Sequence, residues 1–256
     1  MRIDDLVGKV CLVTGSSRGI GATVARGLGA TGARVAVHCR TARAEAEQVA
    51  ADIARAGGEA TVLQGDIGER GTVERLIAET VAHFGRLDLL VNNAGDLIER
   101  CPAADTSDAL FDRHIALNIT PVFAACREAV GVFRRQGGGG GIINLSSIAA
   151  RTGGGGGSSL YAGSKAFVAT FTRALAKEVA ADRIRVNAVA PGVIATPMQD
   201  RTTPPDMLAA ITRQIPLQRV GAADDCVGTF LFLASDALSG YLTGQVIEVN
   251  GGLAMP

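Results

Sequence analysis

Seven short runs of apolar and β-branched residues, separated by segments with helical periodicity, constrain the fold more than any other feature. The runs are KVCLVT (9–14), RVAVHC (34–39), ATVLQ (60–64), LDLLVNN (87–93), GIINLSS (141–147), IRVNAVA (184–190) and QVIEVN (245–250). Most are continuous and do not alternate with polar residues, which is typical of parallel strands covered by helices on both faces. The sequence therefore predicts a doubly wound α/β fold with a seven-stranded parallel sheet.

The chain is predicted to form one domain spanning residues 1–256. A length of 256 residues with 47% hydrophobic side chains can bury one sizeable core. Two runs of five glycines, Gly137–Gly141 and Gly153–Gly157, resemble linkers. Neither run divides two segments that could each form a core, so both are interpreted as flexible loops within the domain.

The charges exclude several kinds of partner. Twenty-five basic and 25 acidic side chains cancel, so we expect neither nucleic acid nor an acidic membrane surface to be bound. The N-terminus lacks the apolar run of a signal peptide, and no stretch approaches about 18 uninterrupted apolar residues. A soluble, cytoplasmic protein is expected.

The cysteines predict neither a metal site nor a disulfide framework. They are odd in number, scattered and without a CxxC pair. We expect buried, reduced thiols and no bound metal. The five are Cys11, Cys39, Cys101, Cys126 and Cys226.

A glycine pattern follows the first predicted strand and opens the first predicted helix. Gly15, Gly19 and Gly21 have the spacing GxxxGxG, which lets the backbone turn tightly and approach a phosphate at the helix N-terminus. Tight packing of the helix on the sheet is the alternative explanation. Because the motif lies in the chain's first βαβ unit, it favours a Rossmann-type dinucleotide site. The predicted contacts in the loop are Gly15, Ser17, Arg18, Gly19, Ile20 and Gly21.

The end of the second strand bears on which dinucleotide is bound. A carboxylate there would suit the adenosine ribose of NAD, whereas arginine suits the 2′-phosphate of NADP. The segment HCRTAR has no carboxylate before Glu45, while Arg40 and Arg43 end the strand and Arg18 lies in the glycine loop. NADP(H) is therefore favoured over NAD(H), although such arginines can also be plain solvated charges.

The segment SSLYAGSKAFVATF places Tyr161 and Lys165 four residues apart, on one face of a predicted helix. Amphipathic packing alone could explain the pair. The chemical alternative is an acid–base pair, in which the ammonium favours ionisation of the phenol.

Five separated segments decide between these explanations. They are TGSSRGIG (14–21), NNAG (92–95), NLSS (144–147), YAGSK (161–165) and PGVIATPM (191–198). In this order they span nearly the whole chain, which resembles the short-chain dehydrogenases/reductases and, within them, 3-oxoacyl-[acyl-carrier-protein] reductase-like members.

The resemblance implies a catalytic set of Asn118, Ser147, Tyr161 and Lys165. Ser147, rather than its neighbour Ser146, would donate a hydrogen bond to the substrate carbonyl. Tyr161 would be the general acid in reduction and the general base in oxidation, with a pKa lowered by Lys165.

Asn118 would lie on a long fourth helix and hold a water that links Lys165 to solvent. The alternative for Asn118 is a hydrogen bond that bends its helix, which Pro121 suggests. Ser147 and Tyr161 are 14 positions apart, one more than expected for many members, and Gly153–Gly157 falls between them.

Asp66, after the third predicted strand, would contact adenine, although it could equally cap the next helix. Residues 193–216 join proline-rich turns to an amphipathic helix, as a substrate lid would, although a plain surface connection is an equally good explanation. The resemblance also implies further cofactor contacts and a homotetramer. The implied contacts are Asp66, Ile67, Asn93, Ala94, Gly95, Tyr161, Lys165, Pro191, Gly192, Val193 and Thr196.

These observations predict an oxidoreductase that transfers hydride between NADP(H) and a carbonyl or secondary alcohol. A 3-oxoacyl thioester is one candidate substrate, and an NAD-dependent alcohol, sugar or steroid-type dehydrogenase is the alternative. Residues 96–100 and the lid show no distinctive charge cluster, which leaves the substrate open. A regulator that binds NADP(H) without turnover would have a broken catalytic set, whereas all four residues are present here.

Overall fold

A seven-stranded parallel sheet forms the centre of the computed structural model, which describes residues 3–255. The strand order is β3-β2-β1-β4-β5-β6-β7, and each neighbouring pair is parallel. This confirms the predicted doubly wound, single-domain α/β fold. The strands are β1 (Val10–Val13), β2 (Arg34–Cys39), β3 (Glu59–Gln64), β4 (Leu89–Asn92), β5 (Gly140–Leu145), β6 (Ile184–Pro191) and β7 (Val246–Val249).

Helices cover both faces of the sheet. Helices α3, α5 and α7 pack on one face, and α1, α2 and α10 pack on the other. The helices are α1 (Gly19–Ala30), α2 (Arg43–Arg55), α3 (Thr72–Phe84), α4 (Asp108–Asn118), α5 (Thr120–Gln136), α6 (Ala149–Thr152), α7 (Ser159–Val179), α8 (Pro197–Thr202), α9 (Pro205–Thr212), α10 (Asp224–Ala234) and α11 (Asp236–Ser239).

Strand β1 shows why its run is continuously apolar. Val10 and Leu12 belong to the core under α3, α5 and α7, whereas Cys11 and Val13 belong to the core under α1, α2 and α10. Successive side chains of a strand point to opposite faces. Both faces are buried here, so neither set can be polar.

The strand order reverses between β1 and β4, and this reversal positions the site. The chain runs outward from β1 to β3 and then returns to place β4 on the other side of β1. The loops that leave β1 and β4 therefore diverge and open a crevice at the carboxyl edge of the sheet, where open α/β sheets bind their ligands.

The glycine run 137–141 differs from the predicted loop. Gly137, with φ +69°, ends α5, but Gly140 and Gly141 are the first two residues of β5. A Cβ on Gly140 would lie 2.5 Å from the ring of Phe133. Glycine is required there because α5 crosses the start of β5 at close range.

The predicted long fourth helix is in fact two helices. Helix α4 ends at Asn118, α5 begins at Thr120, and Ile119 between them has ψ −60° and φ −117°. Pro121 in the first turn of α5 cannot donate a backbone hydrogen bond, so one continuous helix would be disrupted at this point. The break places Asn118 at a helix end.

The segment Asp108–Gln136 is long and apolar enough to span a membrane, but half of its most apolar window is buried inside the fold. This is the behaviour of a core helix pair.

The cysteines agree with the expectation of buried thiols, with one exception. Four are buried, and Cys101 is partly exposed in the loop after β4. Burial raises the pKa of Cys126 to about 12, which keeps this thiol protonated and unreactive.

Candidate active site

The glycine loop after β1 and the NNAG loop after β4 pack directly against each other. A Cβ on Gly15 would lie 3.0 Å from Ala94, and one on Gly21 would clash with Asn93. The Asn93 side chain donates to the carbonyl oxygens of Thr14 (2.8 Å) and Gly15 (3.1 Å). These hydrogen bonds hold the glycine loop open, with the N-terminus of α1 facing the crevice.

His38 supports the glycine loop from beneath, a role that the sequence analysis missed. It is buried in β2, and its Nδ1 accepts a hydrogen bond from the Gly15 N–H at 2.9 Å. Its Nε2 lies 3.0 Å from the carbonyl oxygen of Gly65 and therefore carries the proton. Burial lowers the pKa of His38, so it is a neutral bridge between the glycine loop after β1 and Gly65 at the end of β3.

A cleft of about 380 Å³ follows this loop and fits the residues predicted for a dinucleotide. The fit rests on the glycines, because side chains at these positions would fill the space that a pyrophosphate needs. The predicted contacts that line it are Gly15, Ser17, Arg18, Gly19, Ile20, Gly21, Arg40, Asn93, Ala94, Gly95 and Thr196.

Asp66 and Ile67, two of the predicted cofactor contacts, lie outside this cleft. The Asp66 carboxylate accepts from the Gly68 N–H at 2.9 Å and lines a neighbouring cavity. It does not cap α3, whose N-cap residue is Gly71. Ile67 is buried in the core beneath α3, so its side chain is not directed into the cleft.

Each arginine predicted to read a 2′-phosphate faces a carboxylate. Arg18 pairs with Glu45, and the Nη1 atom of Arg40 lies 3.8 Å from Asp66. The hydrogen bond from Arg18 lowers the pKa of Glu45. These pairs are exposed and hold the two guanidinium groups at the edge of the cleft.

Ser147, two residues after β5, lines the same cavity as Tyr161 on α7, and its hydroxyl acts to lower the pKa of the Tyr161 phenol. Ser146 serves a different purpose: its hydroxyl is fully buried and donates to the Lys165 carbonyl oxygen at 2.9 Å. The structure thus separates the two serines that are adjacent in sequence. Ser146 fastens α7 to the sheet, and Ser147 faces the open cavity.

Lys165 is buried beside Tyr161 with no carboxylate partner among residues 3–255. Its side chain is 3% exposed, its Nζ donates to the Leu145 carbonyl oxygen at 2.7 Å, and Nζ lies 5.7 Å from the Tyr161 ring centroid. Burial lowers the pKa of Lys165 to about 8. An ammonium held here is a strong local positive charge.

The pKa of Tyr161 corrects one expectation. Burial raises this pKa to about 12, only partly offset by the hydrogen bond from Ser147 and reinforced by the charge of Asp96. The sequence analysis expected a pKa lowered by Lys165, but the Lys165 ammonium is directed to the Leu145 carbonyl oxygen. Tyr161 is therefore a protonated phenol at neutral pH, ready to donate.

Asn118 joins α4 to the loop after β4. Its Oδ1 accepts from the Asp96 N–H at 2.9 Å, and its Nδ2 donates to the Asp96 carbonyl oxygen at 3.0 Å. The alternative explanation is a hydrogen bond from Asn118 that bends its own helix. Within α4, the Asn118 side chain makes a 3.4 Å contact between its Nδ2 and Nδ1 of the buried His114. A Cβ on Gly95 would meet both Asn118 Oδ1 (2.9 Å) and Lys165 Nζ (3.2 Å).

The predicted lid segment contains two short helices, α8 and α9, where one amphipathic helix was expected. Thr203 and Pro204 separate them. Arg201 on α8 binds both carboxylate oxygens of Asp96, with the longer contact at 2.6 Å. Asp96 and Arg201 contradict the expectation that this region lacks a distinctive charge cluster.

A second cavity, of about 170 Å³, lies between the lid and the catalytic side chains. Both predicted hydroxyl groups face it. Its lining includes the predicted residues Ser147, Tyr161, Pro191, Gly192, Val193 and Thr196, and also Met198, Thr202, Thr203 and Arg100.

A cleft suited to a dinucleotide, adjoining a cavity lined by a serine–tyrosine hydroxyl pair, places the chain among nicotinamide-dependent oxidoreductases. A family model described as Enoyl-(Acyl carrier protein) reductase matches residues 15–254. The chain belongs to the short-chain dehydrogenase/reductase family, whose members use NAD(P)(H).

Relatives and solved structures agree with this family. The chain is 40% identical over 253 residues to 3beta-hydroxysteroid dehydrogenase 1 of Eggerthella lenta, covering 98% of this chain and 96% of the relative. It is 40% identical over 254 residues to a 3-oxoacyl-[acyl-carrier-protein] reductase of Synechocystis sp., with 98% of each chain covered. An NADH-dependent reductase responsible for alginate metabolism has a TM-score of 0.91 at 35% identity, covering 99% of this chain and 100% of that one.

Proposed function

We propose that this protein reduces a carbonyl group to a secondary alcohol with NADPH, and catalyses the reverse oxidation, through Ser147, Tyr161, Lys165 and Asn118. The observation that carries the proposal is that Ser147 and Tyr161 line one cavity beside the buried Lys165. A bound nicotinamide cofactor supplies or accepts the hydride. Ser147 donates a hydrogen bond to the substrate oxygen, and Tyr161 delivers the proton to it.

Lys165 and Asn118 have supporting roles in this proton transfer. The buried ammonium of Lys165 favours negative charge on Tyr161 once the proton has left, and Lys165 would hold the nicotinamide ribose. Asn118 holds the loop of Asp96 against the end of α4. In this position it would order a water that returns protons from solvent to Lys165.

The neighbouring serines give the matched test. We expect Ser147→Ala to reduce kcat by about 10²- to 10³-fold, because it removes a donor aimed at the developing charge. Ser146→Ala removes only the tie to the Lys165 carbonyl, so it should lower the unfolding temperature and change kcat by a few-fold at most. Equal losses of kcat in the two variants would contradict the assignment of Ser147.

Tyr161→Phe distinguishes an enzyme from a regulator that binds NADP(H) without turnover. The variant should lose about 10²- to 10⁴-fold in kcat while thermal-shift titration with NADPH stays unchanged. The substrate screen should contain ketones, a 3-oxoacyl thioester and a hydroxysteroid, since relatives carry the last two in their names. A wild-type protein that binds NADPH but reduces none of them would favour the regulator.

The preference for NADP(H) rests on Arg18 and Arg40 at the edge of the cleft, where β2 ends without a carboxylate. Both guanidinium groups are solvent-exposed and can turn from their carboxylate partners toward a 2′-phosphate. Thermal-shift titrations with NADPH and NADH test this directly. The related NADH-dependent reductase makes a preference for NADH the informative contrary outcome.

A homotetramer in the cytoplasm completes the proposal. Phe111 on α4 and Phe123 on α5 are 47% and 45% exposed, and Phe123 lies 6.0 Å, centroid to centroid, from Phe171 on α7. An aromatic face of this kind is suited to a second copy. Light scattering should give the mass of four chains, and Phe123→Asp should lower it. A wild-type monomer would contradict the assembly.

A further inference from the structure

The cavity that contains Ser147 and Tyr161 has one charged side chain in its described lining. That side chain is Arg100, from the loop after β4. The remaining lining residues are apolar or neutral. A ligand in this cavity therefore meets one positive charge and no negative one.

The guanidinium of Arg100 is held in place by neutral acceptors only. Its Nε donates to the Thr202 carbonyl oxygen at 2.7 Å, and its Nη1 donates to the Gly156 carbonyl oxygen at 2.9 Å. Nη2 lies 3.4 Å from the Thr203 hydroxyl. A guanidinium has five N–H donors, so two remain for a ligand.

The carboxylates nearest in sequence are bound to other arginines. Asp96 is paired with Arg201, and Glu99 lies 3.8 Å from Arg113. No carboxylate among residues 3–255 lies within 4.0 Å of the Arg100 nitrogens. The positive charge at the cavity wall is therefore not neutralised by the described part of the protein, although neutralisation is the usual arrangement for a partly buried arginine.

The glycine run 153–157 makes room for this arginine. A Cβ on Gly155 would lie 3.3 Å from Arg100 Nη1, and a Cβ on Gly157 would lie 3.2 Å from Arg100 Cβ. The backbone N–H of Cys101 also donates to the Gly157 carbonyl oxygen at 2.9 Å. The glycines of the loop between Ser147 and Tyr161 thus leave space for Arg100 on the opposite wall of the cavity.

We propose that Arg100 binds an anionic group of the substrate, so that the preferred substrate is a carbonyl compound that carries a carboxylate. A carboxylate matches the planar fork of a guanidinium and forms charge-assisted hydrogen bonds with it. The inference rests on the carbonyl reduction proposed above and specifies its substrate class as oxo acids, or hydroxy acids in the reverse direction. The carboxylate would lie toward Thr202 and Gly156, and the carbonyl toward Ser147 and Tyr161.

The test compares short 2-, 3-, 4- and 5-oxo acids with the methyl ester of each, because esterification removes only the charge. The wild-type protein should favour the best oxo acid over its ester by about tenfold or more in kcat/KM. Arg100→Gln should reduce this ratio to near one, mainly by raising KM for the acid. Arg100→Lys should retain part of it, since it keeps the charge but loses the fork.

The acid-to-ester ratio separates recognition from a structural role of Arg100. Loosened cavity walls would lower turnover of acid and ester together and leave the ratio unchanged, and that result would overturn the inference. Glu99→Gln, on the same loop, should leave the ratio unchanged, because Glu99 faces Arg113.

The controls also separate this inference from the proposed function. Wild-type turnover of esters, or of acetoacetyl-CoA, equal to that of the acids would overturn the role of Arg100 and leave carbonyl reduction intact. Reduction of no acid, ester or thioester, with NADPH binding retained, would overturn both.

Discussion

Both edges of the sheet carry cavities, but the edges differ in how their buried charges are satisfied. The amino edge has a cavity of about 720 Å³ beside Asp88 and Arg185. Asp88 accepts from the Val10 N–H at 2.9 Å and from Arg86. Arg185 donates to Asp236 at 2.8 Å and to the Leu233 carbonyl oxygen at 2.9 Å.

The catalytic cavity at the carboxyl edge is smaller, about 170 Å³, and its charges have no partner of opposite sign among the described residues. Lys165 is buried there against a single carbonyl oxygen, and Arg100 contacts only neutral acceptors. Burial shifts the pKa values of Lys165 and Tyr161 away from their ordinary values. Unsatisfied charge, rather than cavity volume, therefore marks the site of chemistry.

The largest expected difference between the edges is catalytic. Lys165→Met should lower kcat by about 10²- to 10³-fold, since it removes the positive charge that stabilises the ionised Tyr161. Steady-state kinetics with saturating NADPH and the best substrate of the screen would measure it. Retention of more than a tenth of the wild-type kcat would show that the buried charge is not needed.

The same residue should make stability depend on pH. Because the folded pKa of Lys165 is about 8, below the usual lysine value, the unfolded chain binds more protons between these two pKa values. Stability therefore rises with pH in this window, and the burial penalty is fully present below it. Relative to Lys165→Met, the wild type should gain about 2 kcal/mol in free energy of unfolding from pH 7 to about pH 9.5. Parallel urea-unfolding curves at each pH would contradict this.

A substitution at the amino edge should lower the stability of the fold and leave turnover almost unchanged. Arg185→Met breaks hydrogen bonds to Asp236, Ser239 and Leu233 and should lower the free energy of unfolding by about 1–3 kcal/mol. Because no described residue lines both this cavity and the catalytic one, kcat should remain within about twofold of wild type. A large loss of kcat in a folded variant would mean that the two edges are coupled.

The sequence predicted the fold well because periodicity reports burial directly. In β1, both faces are buried, so the run had to be continuously apolar. Glycine spacing likewise located the crevice, because only glycine allows the close approach of Gly15 to Ala94. Element ends were less certain: Ser146 and Ser147 lie just after β5 rather than in it.

The side chains that complete the site could not be predicted, because their partners are distant in the chain. His38 in β2 accepts a hydrogen bond from Gly15 after β1, and Arg100 donates to Thr202, which lies 102 positions further along the chain. Local sequence patterns do not identify such pairs. A charged residue that the sequence assigns to the solvated surface can therefore line a cavity in the structure. The pKa of Tyr161 was mispredicted for the same reason: Lys165 is near in sequence, but a carbonyl oxygen from β5 takes its hydrogen bond.

The smallest expected effect concerns the edge of the dinucleotide cleft. Glu45→Gln removes the carboxylate that pairs with Arg18, so Arg18 becomes free to bind a 2′-phosphate. NADPH should bind a few-fold more tightly, whereas NADH, which lacks that phosphate, should be unaffected. Glu47→Gln is the matched control, because Glu47 pairs with Arg43 at 2.8 Å on the same helix, and Arg43 does not line the cleft. Equal gains for NADPH and NADH, or a gain in the control, would remove Arg18 from phosphate recognition and limit that role to Arg40.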